Sequence, residues 1–79
     1  MPQAVEGRVA VEQLREGVRA LLESTGAVME HLAREIDAAA AADALAVATR
    51  AADELEARAR RMGELASKLA AEQRREEMD

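Results

Sequence analysis

From position 45 onward the chain sets Leu45, Ala48, Ala52, Leu55, Ala59, Met62, Ala66 and Leu69 at steps of three and four residues without a break. That 3.5-residue period is what a helix needs to hold one continuous seam against another helix, and a strand, with its period of two, has no use for it. After the first heptad alanine fills one seam position and leucine or methionine the other. The frame lapses at Gln73 and Glu76, so the seam ends before the chain does.

The first half carries a second helical stripe. Starting at Val9, aliphatic residues recur at Leu14, Val18, Leu21, Leu22, Val28, Met29, Leu32 and Ile36, the spacing of one face of an amphipathic helix. The stripe is wide because Leu21 with Leu22, and Val28 with Met29, double it. Between the two patterns lies Asp37-Ala38-Ala39-Ala40-Ala41-Ala42-Asp43, which lacks the glycine or proline that usually marks a turn. Two architectures follow: an antiparallel helical hairpin that bends within the alanines, with Asp43 capping the second helix, or one long continuous coiled-coil helix.

Side-chain size favours the hairpin. With the bend near Ala40 or Ala41, facing positions have residue numbers adding to about 81. Ile36 then meets Leu45, Leu32 meets Ala48, Met29 meets Ala52, Leu22 meets Ala59 and Val18 meets Met62, so large side chains mostly face small ones. Gly17 falls beside Gly63 or Glu64. The expectation is an all-α fold of two long helices: a flexible N-terminal segment over 1–8, helix one over about 9–37, a bend over about 38–42, helix two over about 43–76, and a frayed end over 77–79.

Composition decides what such a hairpin lacks. Of the 79 residues, twenty are alanine, only fifteen are Val, Leu or Ile, and none is aromatic, so little area is buried per residue in a size range where a single core is marginal. No cysteine is present to staple it. Leu21, Val28 and Leu65 lie beside the seam with nothing in the hairpin to cover them, and burying one such side chain contributes roughly 1.5–3 kcal/mol. The expected outcome is assembly, as a homodimeric four-helix bundle or with a helical partner protein. The assembly residues are Leu14, Val18, Leu21, Leu22, Val28, Met29, Leu32, Ile36, Leu55, Met62, Leu65 and Leu69.

Other activities find less support. A net charge of −5, with basic residues interleaved among acidic ones, disfavours nucleic acid and anionic membranes as the main partners. Arg58, Arg60, Arg61, Arg74 and Arg75 are the only basic clusters, and a small nucleic-acid-binding regulator is an alternative that rests on them. An amphipathic surface-coating protein is another, although the alanine-rich face lacks the aromatic and lysine flanks of interfacial helices. No run approaches the ~20 apolar residues of a membrane span, and a cytoplasmic chain is expected. Phosphate loops, nucleophile triads and zinc spacings are missing, so neither an enzyme nor a cofactor is expected.

His31, the only histidine, has Glu35 one turn later, one edge of a metal site. The Glu-x-x-His arrangement of di-iron bundles is absent, because Val28 stands three residues before it. A helical hairpin with a histidine midway along its first helix, here Glu30-His31-Leu32-Ala33-Arg34-Glu35, resembles the dimerisation and phosphotransfer domains of histidine kinases. That resemblance would make His31 a phosphoacceptor. It covers under a dozen residues, and Leu32 stands where those proteins usually have an acidic residue. The exposed pairs Glu30 with Arg34, Glu54 with Arg58, Glu56 with Arg60 and Glu64 with Lys68 read as solvated i to i+4 pairs, each contributing tenths of a kcal/mol.

Overall fold

The computed structural model describes residues 2–78, with side chains described over 8–75. It is an all-α hairpin: α1 spans Pro2–Ala38, α2 spans Ala41–Met78, and only Ala39 and Ala40 lie outside a helix between them. The continuous-helix alternative is thereby excluded. The two helices pack antiparallel in a slab of 61 × 16 × 12 Å.

The helices are longer than the apolar pattern predicts. α1 starts at Pro2 instead of about 9, because proline at the first helical position forfeits an N–H that would be unpaired anyway. At the far end α2 continues through polar helix formers to Met78, beyond the expected limit near 76. The expected flexible segment 1–8 and frayed end 77–79 fall largely on residues outside those whose side chains are described.

The bend is confined to two alanines. Ala39 N donates to Ile36 O at 3.4 Å, closing the last turn of α1, while Asp43 N and Ala44 N donate to Ala40 O at 2.9 and 3.1 Å. Ala40 is therefore the N-cap of α2, since its carbonyl accepts the first bonds of that helix. Asp43 sits three positions inside and acts on the helix dipole, which corrects the capping role expected of it. No described residue has positive φ, so the turn forms without glycine.

An N-cap alanine offers no side-chain oxygen to the free N–H groups of the first turn. Ala40→Ser should therefore raise stability by about 1 kcal/mol. The check is the urea midpoint followed by helicity; a midpoint that stays put or falls would show that this bend has no room for a capping hydroxyl.

The interior seam differs from the one read in the sequence. On α1 the covered and half-covered positions include Val11, Leu14, Val18, Leu21, Thr25, Val28, Leu32, Glu35 and Ala39; on α2 they include Ala44, Val47, Ala51, Glu54, Arg58, Met62, Leu65 and Leu69. The contacts of Arg58 with Ser24 and Thr25, and of Gly17 with Leu65, have numbers adding to 82 or 83, and the longer reach of Arg50 to Glu35 adds to 85. Leu45, Ala48, Ala52, Leu55, Ala59 and Ala66 are exposed. The heptad that is most regular in sequence lies largely outside the hairpin seam.

Aliphatic content does not explain that choice. Each helix carries two stripes one residue apart, sharing Val18 and Leu32 on α1 and Met62 and Leu69 on α2. One adds Leu21, Val28, Val47 and Leu65; the other adds Leu22, Met29, Ile36, Leu45 and Leu55. What distinguishes them is found between the helices. In the observed phase Leu65 seats against Gly17, where an added Cβ would lie 3.4 Å from Leu65 Cδ2. Arg50 pairs with Glu35 across the hairpin, and Arg58 reaches Ser24 and Thr25.

Candidate functional site

Two helices that run in opposite directions also turn in opposite senses about the line between them. The residue after an interior seam position is consequently carried to the same side of the hairpin on both helices. Leu22, Met29 and Ile36 of α1 therefore share a face with Ala48 and Leu55 of α2, and Leu45, Ala52 and Ala59, which follow Ala44, Ala51 and Arg58, lie on that side too. Leu45 is 75% exposed, Leu22 59%, Leu55 47% and Ile36 39%.

Between Leu22 and Ile36 on α1, and between Leu45 and Ala59 on α2, this face bears no charge at its facing positions. Isolated exposed aliphatic residues are ordinary on a protein surface, whereas these lie together on one side of the hairpin. The expected assembly residues divide accordingly. Leu32 and Leu65 are buried, Leu65 at 4% exposure; Leu14, Val18, Leu21, Val28, Met29, Met62 and Leu69 are half-buried; Leu22, Ile36 and Leu55 are exposed.

Leu21, Val28 and Leu65, read from the sequence as surplus apolar surface, are interior residues of the hairpin. The surplus is Leu22, Ile36, Leu55 and, unforeseen among the assembly residues, Leu45. Both sets are equally periodic, so periodicity alone could not assign them to inside and outside. A usable signal was the seam that contains Arg58: its long apolar stem can be covered while its head finds polar partners.

The other side is polar. His31, Glu35 and Arg50 stand over an open groove also lined by Ala27, Val28, Leu32 and Glu54. His31 Nε2 lies 2.9 Å from Glu35 Oε1, with the imidazole side chain 70% exposed, while Arg50 donates to the other Glu35 oxygen. Both carboxylate oxygens are thus engaged, and one of them ties α1 to α2. Among the described residues no three His, Cys, Asp or Glu side chains converge where a metal ion could be held.

A second polar layer was missed by reading Glu54 and Arg58 as a solvated pair. The Arg58 side chain is only 19% exposed. Its Nε donates to Glu54 at 3.2 Å, and one guanidinium nitrogen donates to Ser24 Oγ at 3.0 Å and Thr25 Oγ1 at 3.1 Å. Thr25 in turn donates to Leu21 O at 2.6 Å. Of the remaining basic residues expected to cluster, Arg60 pairs with Glu56, Arg61 with Glu64 and Arg75 with Glu72; Glu64 takes Arg61 in place of the expected Lys68.

Among the described residues, no helix is long and apolar enough to cross a membrane. No family model, curated protein or solved structure matches the chain.

Proposed function

We propose that the protein is a non-enzymatic helical interaction or scaffold module of the cytoplasm, which acts by offering the exposed face of its hairpin to another helical surface. One observation carries this reading. Most of the heptad stripe on α2, from Leu45 to Ala59, and Leu22 and Ile36 of the stripe on α1 lie uncovered on one side, although the chain already has a seam that closes the hairpin without them. A solvated face needs polarity and no register; a face that pairs with helices needs apolar residues at this spacing.

The polar side supports the same reading. Among the described residues its ionic contacts bridge or line the two helices over an open groove, which suits a structural role better than a chemical one. His31 is spoken for by Glu35, itself held by Arg50.

Proximity labelling in cells tests the proposal. Leu22→Glu with Leu55→Glu should abolish the set of neighbours labelled by the wild-type fusion, whereas Ala20→Glu, an exposed position on the polar side, should preserve it. Identical neighbours for all three proteins would sink the interaction reading.

A further inference from the structure

We infer that the occupant of the apolar face is a second copy of this chain, stacked face to face about a two-fold axis parallel to the helices, with both bends at the same end of a four-helix bundle. This rests on reading the face as an interaction surface, and goes beyond it by naming the partner and its orientation.

The first ground is that the face is complementary to itself. A two-fold axis along the bundle keeps every residue at its own height and sets α1 of one copy antiparallel on α2 of the other. Facing positions must then have numbers adding to nearly the 82 or 83 seen within the chain. The stripe Leu22, Gly26, Met29, Ala33, Ile36 steps four, three, four, three, and Leu45, Ala48, Ala52, Leu55, Ala59 steps three, four, three, four. Run antiparallel they match at every position at a sum of 81, which is within about half a helical turn of level.

In that register Leu22 of one copy meets Ala59 of the other, Gly26 meets Leu55, Met29 meets Ala52, Ala33 meets Ala48 and Ile36 meets Leu45. Protrusions fall on hollows in three of the five layers, and no charge enters any of them. An added Cβ at Gly26 would touch nothing within 4 Å in the hairpin, so there is open space at that layer for an incoming Leu55. The symmetry repeats the seam on the other pair of helices, giving an isologous contact. The large-on-small pairing legible in the sequence is thus used between chains, while the neighbouring stripe closes the hairpin.

The second ground is area. The five uncharged layers span about 21 Å of helix and the contact carried on to Leu69, with a charged rim at its open end, spans about 36 Å, on a slab 16 Å wide. That makes a flat footprint of about 580 Å², which a corrugated surface exceeds, approaching the ~800 Å² per partner of a standard specific interface. Size complementarity fixes the orientation. Bends at opposite ends would set α1 on α1 and α2 on α2; with the uncharged stretches overlaid, Leu22 meets Ile36 and Met29 meets its own copy, large on large, while Ala52 meets its own copy, small on small. With bends together Arg15 and Arg19, paired with Glu12 and Glu23, fall opposite Ala66 and Met62 at the open end, at the rim of the contact.

Sedimentation equilibrium of the full chain at micromolar concentration should give twice the chain mass. Leu55→Glu and Leu22→Glu should each raise the dissociation constant by about a hundredfold or more, since each buries two carboxylates per dimer, and Ala20→Glu should leave it unchanged. Because a variant that loosens the hairpin would also lose the dimer, the wild-type face is read independently. The chain has no cysteine, so Ala41→Cys carries a single spin label at the bend. Pulsed dipolar spectroscopy should give a distance under about 25 Å between the two labels, against about 36 Å or more for opposed bends that overlay the two apolar stretches. A monomer, a dimer indifferent to both substitutions, or the long distance would each overturn the inference. A monomer whose cellular neighbours still depend on Leu22 and Leu55 would assign the face to a different helical protein and leave the proposed function standing.

Discussion

Trimming Leu65 to alanine should cost the protein about 2–5 kcal/mol. Few side chains in the hairpin are as fully enclosed: among the described residues Leu32, Val47 and Leu65 are the buried apolar ones, and Leu65 is the least exposed of them at 4%. It also fills the notch that Gly17 leaves open on α1, so its loss leaves a cavity which two straight helices cannot close without bending. A chain of this length has a total stability of roughly 4–12 kcal/mol. The variant should be substantially unfolded in urea concentrations that leave the wild type helical. Helicity against urea at one fixed protein concentration is the measurement, since association would otherwise shift the midpoint. A change under 1 kcal/mol would mean that Leu65 is not where the hairpin keeps its core.

Two substitutions of Arg58 should move stability in opposite directions. Arg58→Ala removes the covered stem as well as the donors to Ser24, Thr25 and Glu54, and should destabilise by about 1–2 kcal/mol. Arg58→Leu keeps the volume and fills the same seam position with apolar surface. Glu54, whose side chain is 45% exposed, can return to water, and Thr25 retains its bond to Leu21 O. Leucine should therefore stabilise by about 1 kcal/mol, as replacement of a covered ionic group by a well-packed apolar one often does. Chemical denaturation of the pair decides it: if both variants lose stability equally, the polar layer contributes net energy and is not merely tolerated. The gain in Arg58→Leu would carry a loss of discrimination, because one of the ties that separates the interior stripe from its neighbour would be gone.

How much of this was legible follows from which residues carry the information. Two helices and a bend in the alanine run could be read because helix formers dominate and the apolar period changes nowhere from helical to strand-like. The bend's position was readable from the alanine run between the two apolar stripes, but the cap was not. Asp43 has the favoured side chain and Ala40 does not, yet the backbone carbonyl that accepts the first bonds is Ala40's.

The phase of the helices was not legible either. Leu21 and Leu22, or Val28 and Met29, differ by one residue and about 100° around the helix, and both stripes satisfy the same period. The deciding contacts are made by residues that an apolar pattern discards: a glycine, a threonine, two arginines and their carboxylates. Counting alanine as fully apolar added to the error, since the most regular heptad buries the least area per position.

The two-residue connection between α1 and α2 has a consequence for how such a protein can change. With only Ala39 and Ala40 between them, the helices have little slack, and the rotational setting of α2 is inherited from the length of the link. On α2 the hidden stripe through Val47 and Leu65 and the open stripe through Leu45 and Leu55 are neighbours in that rotation. One residue gained or lost at the bend would turn the second helix by about a quarter of a revolution, enough to trade inside for outside. For a lineage carrying this chain, insertion or deletion at the bend would be a shorter route to a new binding specificity than substitution, because it would redraw the surface while every residue of both helices stayed as it was.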